Sequence, residues 1–328
     1  MGRLEADVAV LPIDALSLQL RRHSADAVRL NHSTRTALAK PLPQSRAGPV
    51  LPALFVVLWS TGFISAKYGL PYAPPLKFLL ARFALVALLM TVVSVATRAP
   101  WPREARQIAH VAVASLLVNG VYLGGVFVSI ARGMPAGTSA MLVGLQPILT
   151  VFLARAWLGE AISTRQWSGL VLGLAGVWLV VRHKIALDGD PLALLPIVVA
   201  LFGISVGTLY QKRFAAHVDL RSGAVVQFTA CVLVYAPLVL WLEPAPIAWT
   251  GEFAFALGWS VLVLSVGAIS LLYTLLRRGA AADVARLFYL VPPVTALMAY
   301  ALFGERLDAL AIAGMVLIAV GVALARRR

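Results

Sequence analysis

From Val50 to its end, the sequence consists of apolar segments separated by short polar turns. Most of these segments have the roughly 17 to 25 residues that a helix needs to cross the hydrocarbon core of a bilayer. A helix satisfies its own backbone hydrogen bonds, which is what lipid demands of a polypeptide. We therefore predict an all-α membrane protein with ten transmembrane helices, embedded in a lipid bilayer. The predicted segments are 50–68, 76–96, 108–131, 136–158, 163–181, 192–210, 223–242, 253–276, 282–303 and 307–325.

Composition excludes several other classes of protein. Hydrophobic residues make up 60% of the 328 residues and charged residues 13%, against roughly 45–50% and 25% in soluble proteins. A mean hydropathy of +0.87 argues against a soluble enzyme, a disordered chain or a secreted disulfide scaffold. The net charge of +14 is scattered between apolar runs rather than gathered in a patch, so we expect no nucleic-acid partner.

The residue types that carry catalysis or bind metals are sparse. Cys231 is the single cysteine, and the five histidines lie in the N-terminal region or at the ends of apolar runs. None of them has a metal-binding spacing such as HExxH. The spans contain no GxSxG motif and no paired aspartates. We therefore expect no metal, no cofactor and no enzymatic activity.

The chain divides into an N-terminal extension and two similar halves. Residues 1–48 carry seven Lys/Arg and four Asp/Glu without a continuous apolar run, which predicts a disordered extension. Residues 49–182 and 190–328 each hold five predicted helices. A shift of 145 residues aligns Lys67 with Lys212, Pro147 with Pro292, and the pair Gly159–Glu160 with Gly304–Glu305. Because five is odd, the second repeat must enter the membrane inverted relative to the first.

Basic residues predict the orientation. If the N-terminus is cytoplasmic, the inner loops and C-terminal tail carry twelve Lys/Arg and the outer loops six. The positive-inside rule therefore places both termini of this multi-pass protein in the cytoplasm.

These residues together resemble a known family. The motif WSTGFISAKYG begins at Trp59, and a proline followed twelve residues later by Gly-Glu occurs in both halves. The sequence is in these respects similar to the EamA branch of the drug/metabolite transporter superfamily. The resemblance implies a secondary transporter that moves small metabolites or drugs, often outward, by alternating access. A lipid-carrier flippase of the same superfamily is an alternative, an intramembrane enzyme is a remoter one, and a homodimer stays open.

Polar, aromatic and proline residues within the spans are candidates for a substrate cavity. A charge such as Arg82 costs roughly 2.5 to 3.5 kcal/mol at the centre of a membrane helix, and recognition of a substrate carboxylate is one explanation for it. Pro147 and Pro292 leave backbone carbonyls without their usual donors, and such carbonyls are tolerated where they line a cavity. The cavity candidates are Trp59, Ser60, Arg82, Asn119, Tyr122, Gln146, Pro147, Gln227, Tyr289 and Pro292.

Charged residues at the helix ends are candidates for gates or for coupling to an ion. The predicted topology places Lys67 and Glu305 on the outer side, and Lys212 and Glu160 on the inner side. We therefore predict a salt-bridge gate at each face. Asp283 is the one acidic residue clearly within a predicted span, and it adds a titratable group for proton coupling.

The topology can be tested with a reporter fused to the C-terminus. We expect a cytoplasmic signal, because the inner loops carry the excess of basic residues. A periplasmic signal from the same fusion would contradict the predicted orientation.

Overall fold

The computed structural model describes residues 50–158, 163–186, 191–216, 218–278, 287–305 and 309–325. All regular elements in these residues are helical, and residues 1–48 lie outside them. The elements are α1 (Val50–Gly69), α2 (Pro75–Ala96), α3 (Ala105–Ser115, Leu116–Val121 and Tyr122–Ala131), α4 (Ala136–Val143 and Gln146–Leu158), α5 (Thr164–Ala186), α6 (Leu194–Phe214), α7 (Leu220–Leu242), α8 (Gly251–Gly258, Trp259–Ala268 and Ile269–Arg278), α9 (Val291–Phe303) and α10 (Ala309–Ala325).

The predicted multi-span membrane protein is confirmed in its coarse form. Seven of the described helices, α1 to α4 and α6 to α8, are long and apolar enough to cross a bilayer. Two shorter apolar helices, Phe288–Phe303 and Ala309–Leu324, contain α9 and most of α10. Helix α5 is not among the seven candidates. Ten crossings therefore remain a prediction.

Helix starts follow from local chemistry. Pro75 and Pro292 lie in the first turns of α2 and α9. A backbone N–H at such a position has no acceptor within the helix, so its absence in proline costs no hydrogen bond. Asp219 caps α7 by accepting a hydrogen bond from the Arg221 amide at 2.9 Å. Thr250 caps α8 in the same way, through the amide of Phe253 at 3.2 Å. These caps satisfy backbone donors that a helix leaves free in its first turn.

The sequence repeat is reproduced in the positions at which the helices begin. Helices at equivalent positions begin 145 residues apart, the same offset that aligns the two halves of the sequence. The paired starts are Pro75 and Leu220, and Gln146 and Val291. In α4 the break falls at residues 144–145, where Pro147 deprives the Val143 carbonyl of its helical donor.

Repeat-related helices pack antiparallel, as an inverted repeat requires. The first amides of α2 bind Glu243, which follows the end of α7. The first amides of α4 bind Glu305, which follows the end of α9. In each case the start of one helix meets the end of its repeat partner. We call this end of the bundle the Glu305 end and the opposite end, where α6 finishes near Lys212, the Lys212 end.

Helices α5 and α10 pack through glycines that the 145-residue offset pairs, Gly169 with Gly314 and Gly176 with Gly321. A Cβ added at Gly176 would lie 2.7 Å from the Gly314 carbonyl oxygen and 2.9 Å from Ile318 Cγ1. A Cβ at Gly321 would lie 2.6 Å from the Gly169 carbonyl oxygen. The two backbones are therefore in direct contact, which small residues permit in membrane helix pairs.

The glycine contact predicts a difference between two otherwise identical substitutions. Gly176→Ala forces α5 away from α10, and we expect a loss of about 1–3 kcal/mol of stability from overpacking. Gly258→Ala is the matched control, since its Cβ meets no atom within 4 Å and the change improves helix propensity. Thermal unfolding in detergent measures both variants. Equal melting temperatures would contradict the packing described for Gly176.

Candidate functional site

A cavity of about 800 Å³ lies among helices α1, α2, α3, α6, α7 and α8, so both repeats contribute to its wall. Its size falls within the range of pockets that hold small molecules. Six of the sequence-predicted residues line this cavity: Trp59, Arg82, Asn119, Tyr122, Lys212 and Gln227. The cavity extends to the exposed Lys212, so it opens toward the Lys212 end.

Arg82 is buried in the cavity wall, with 7% of its surface exposed. Its Nε and one Nη donate hydrogen bonds to the Ser265 hydroxyl at 3.3 and 3.1 Å. Ser265 in turn donates to the carbonyl of Ser260 at 3.0 Å. The hydroxyl therefore fixes the guanidinium to α8, and the bond joins the first repeat to the second.

Two π-helical segments shape the cavity. They span Leu116–Val121 in α3 and Trp259–Ala268 in α8, and the 145-residue shift places the first within the second. One segment carries Asn119 and the other carries Ser265. Such segments occur frequently at functional sites because they offset the helical register locally. Neither π-helical segment was predicted from the sequence, and neither was the role of Ser265. A hydroxyl within an apolar run was the one sequence feature that could have pointed to Ser265.

A short hydrogen-bond chain holds the middle of the wall. Asn119 donates through its amide to the Ser115 hydroxyl at 3.0 Å, and Ser115 donates to the backbone carbonyl of Gln227 at 2.9 Å. Tyr235 donates to the Gly120 carbonyl at 2.8 Å. These bonds join α3 to α7 and orient the amide of Asn119 at the cavity.

Aromatic side chains pack on the side of the cavity nearest the Glu305 end. Phe78 lies in edge contact with Phe127 and Phe253, with ring centroids 5.2 and 5.3 Å away. All three rings are at most 1% exposed. Phe127 also lines the cavity, whereas Phe78 and Phe253 lie in the first turns of α2 and α8.

Glu305 ties three elements together beyond the aromatic cluster. Its Oε1 accepts from Lys67 and from the Ala136 amide at 2.8 Å, and its Oε2 accepts from the Gly137 amide at 3.3 Å. Gly304 ends α9 with a φ of 65°, a left-handed conformation that glycine adopts without strain. The Gly-Glu pair thereby turns the chain so that the carboxylate caps α4.

The Lys212 end is less enclosed. Asp219 pairs with Arg221, whose Nε and Nη2 lie 3.1 and 3.0 Å from its carboxylate. The hydrogen bond from Arg221 holds the pKa of Asp219 below its ordinary value, so this carboxylate stays ionised at neutral pH. Two of the predicted gate and coupling residues, Glu160 and Asp283, lie outside the described residues.

Five predicted cavity residues do not line this cavity: Ser60, Gln146, Pro147, Tyr289 and Pro292. Ser60 is fully buried and donates to the carbonyls of Val56 at 2.7 Å and Val291 at 3.3 Å, so it joins α1 to α9. Gln146 makes a long contact of 3.5 Å with the Thr208 hydroxyl. Pro292 lies against α4, where its Cγ would be 3.0 Å from a Cβ at Gly144. Helix packing accounts for the positions of Ser60 and Pro292.

Comparison with known proteins gives one family. The sequence profile of the EamA-like transporter family matches residues 47–182 and 191–327. The two matches coincide with the two repeats. A solved crystal structure covers 84% of this chain and 96% of its own, with a TM-score of 0.60 and 18% identity, which supports the same fold.

Several curated proteins are similar over most of their length. A transporter of Bacillus subtilis named YvbV and described as uncharacterized is 27% identical, with 87% of this chain and 93% of that protein covered. A probable amino-acid metabolite efflux pump of Escherichia coli is 28% identical, with 85% and 94% covered. A probable terminal-alkyne amino-acid exporter of Streptantibioticus cattleyicolor is 27% identical, with 84% and 92% covered.

The contacts of Glu305 predict that a substitution of Glu305 destabilises the protein more than a substitution of its partner Lys67. Glu305→Gln weakens bonds to all three donors, and we expect a loss of about 1–3 kcal/mol of stability. Lys67→Met removes one partly exposed ion pair and should cost about 1 kcal/mol or less. Thermal unfolding in detergent compares them. Glu104→Gln is the control, since Glu104 precedes α3 without a side-chain cap bond.

An exchange of the two charges extends the same test. Lys67→Glu combined with Glu305→Lys keeps an ion pair but points an ammonium at the amides of α4. We expect the double variant to remain destabilised, since helix N-termini disfavour cations. Recovery of wild-type stability would show that Glu305 acts through Lys67 alone.

Proposed function

The chain belongs to the EamA-like transporter family, and on this premise we propose that it is a secondary transporter that exports small metabolites across the cytoplasmic membrane. Amino acids and their derivatives are the leading class of cargo, because two relatives are named as exporters of such compounds. The proposal includes ten crossings in two inverted repeats, cytoplasmic termini and no enzymatic activity.

The observation that carries this proposal is the cavity between the two repeats. Transporters built from inverted repeats bind substrate near the midplane, at the interface of the repeats. Here the first repeat contributes Trp59, Arg82 and Asn119, and the second contributes Gln227 and Ser265. The remaining wall is largely apolar, as is typical of sites for small organic molecules.

Alternating access is supported by the unequal ends of the bundle. The packed aromatic rings and the Glu305 contacts lie at one end, whereas the cavity reaches exposed residues at the other. With the orientation that the basic residues predict, this conformation faces the cytoplasm. In the opposite conformation the Glu305 contacts separate, and their repeat equivalents, Lys212 and Glu160, close the inner face.

Transport is tested by counterflow of a panel of metabolites into proteoliposomes that contain the purified protein. We expect saturable flux of at least one amino acid or amino-acid derivative. A folded protein that moves no solute would contradict the proposal.

A variant with an obstructed cavity supplies the control. Gly62 lines the cavity, and a Cβ there meets Leu264 at 3.8 Å, an ordinary contact. Gly62→Leu should therefore fold while its side chain occupies the cavity, and we expect flux to fall at least about tenfold. Gly258→Leu is the matched change outside the cavity and should leave flux unchanged. Equal flux from the two variants would show that solutes do not pass through this cavity.

A further inference from the structure

Arg82 holds a buried positive charge in the cavity wall, and no residue that the structure describes pairs with it as a counter-ion. A buried ion without a counter-ion costs several kcal/mol, and a guanidinium cannot lose its proton to avoid this cost. Among the residues that the structure describes, no carboxylate forms an ion pair with Arg82. Its two hydrogen bonds go to one neutral hydroxyl, that of Ser265. Three of its five N–H donors stay available for a ligand.

Other polar groups in the same wall are also uncommitted. Tyr122 is 9% exposed and lines the same cavity as Arg82. Asn119 uses its amide nitrogen on Ser115, which leaves its oxygen for a donor. The side chain of Gln227 lines the cavity from the second repeat. The cavity therefore offers donors for a carboxylate, together with amide oxygens that accept from an ammonium group.

The remaining side chains of the cavity wall favour a solute with an apolar body. The large apolar side chains that line the cavity include Trp59, Phe63, Phe127, Phe228 and Leu264. Buried apolar surface contributes about 25 cal/mol per Å², so an alkyl or aromatic group gains affinity there. Beside these side chains a second carboxylate or a phosphate would lack compensating charge, because the other unpaired cation of the described wall, Lys212, lies at the exposed end of the cavity.

Cationic substrates fit this wall poorly. Asp219 is the one carboxylate among the described lining residues, and it is paired with Arg221. A polyamine or a quaternary ammonium would therefore meet the fixed charge of Arg82 without a free carboxylate to balance its own. The charge distribution selects an anionic or zwitterionic solute.

We propose that Arg82 binds the carboxylate of the transported solute, with Ser265 positioning the guanidinium. The solute is then a small monocarboxylate with an apolar body, such as a zwitterionic amino acid with an apolar side chain. This inference rests on the proposed transport function, which it narrows to a substrate class and a recognition residue.

Three ligands separate the contributions to binding in the wild-type protein. L-phenylalanine has a carboxylate and an ammonium group, L-phenylalaninamide lacks the carboxylate, and 3-phenylpropionate lacks the ammonium group. Calorimetric titration of the purified protein should show the amide binding at least about tenfold more weakly than the acid, since charge-assisted hydrogen bonds are strong. The propionate should keep most of its affinity.

Variants identify the residue responsible. Arg82→Gln should abolish the preference for acid over amide, a ratio that a purely structural role would not change. Arg82→Lys keeps the charge without the planar fork and should restore part of the preference. Arg155→Gln is the matched control, because Arg155 is an exposed arginine of α4 that does not line the cavity. It should leave the preference unchanged.

Each outcome decides the inference. Equal affinities of wild type for acid and amide, or an unchanged ratio in Arg82→Gln, would overturn it. If Arg82→Gln does not fold, the wild-type series alone decides. Counterflow separates the two proposals: transport of other solutes without any monocarboxylate would refute this inference and leave the transporter assignment intact. Absence of all flux would refute the transporter assignment, while the binding ratios would still test Arg82.

Discussion

The cost of an unsatisfied polar group in a low-dielectric environment governs this structure. Lipid offers no hydrogen-bond partners, so the backbone forms helices and the polar side chains turn toward one another. The Arg82 guanidinium binds Ser265, Asn119 binds Ser115, and Glu305 binds the first amides of α4. The first two bonds orient polar side chains in the cavity wall, and the third joins the two repeats at the Glu305 end. The same constraint that folds the chain therefore gives its scarce polar groups defined partners.

The repeat supplies a symmetric scaffold, and substitutions within it create an asymmetric site. The 145-residue offset relates the two π-helical segments, the proline breaks and the glycines between α5 and α10. At the cavity the related positions differ: Arg82 corresponds to Gln227, Asn119 to Leu264, and Ser265 to Gly120. One charge is thus fixed on one wall. In the transport cycle that we propose, the symmetric scaffold allows two equivalent conformations, and the asymmetric wall gives the substrate a defined orientation.

The sequence was sufficient for most of the fold. Long apolar segments between polar turns located most of the helices, and the constant offset predicted the repeats and their inversion. For the site it was sufficient only in part, because helix packing decides which face of a span meets the cavity. Ser60 and Pro292 looked like cavity residues and instead pack α1 and α4 against α9. Ser265 escaped notice, since its role depends on a contact with Arg82 across 183 positions of sequence.

The Lys67–Glu305 pair shows why such contacts change an interpretation. From the sequence it is two opposite charges near one membrane surface, and an isolated exposed pair contributes little to stability. The structure adds the N-terminus of α4, whose amides both bind the carboxylate. Glu305 therefore anchors the start of a helix of the first repeat to the end of a helix of the second. In the alternating-access cycle that we propose, this contact must break before the repeats rotate apart, so its strength contributes to the barrier between the two conformations.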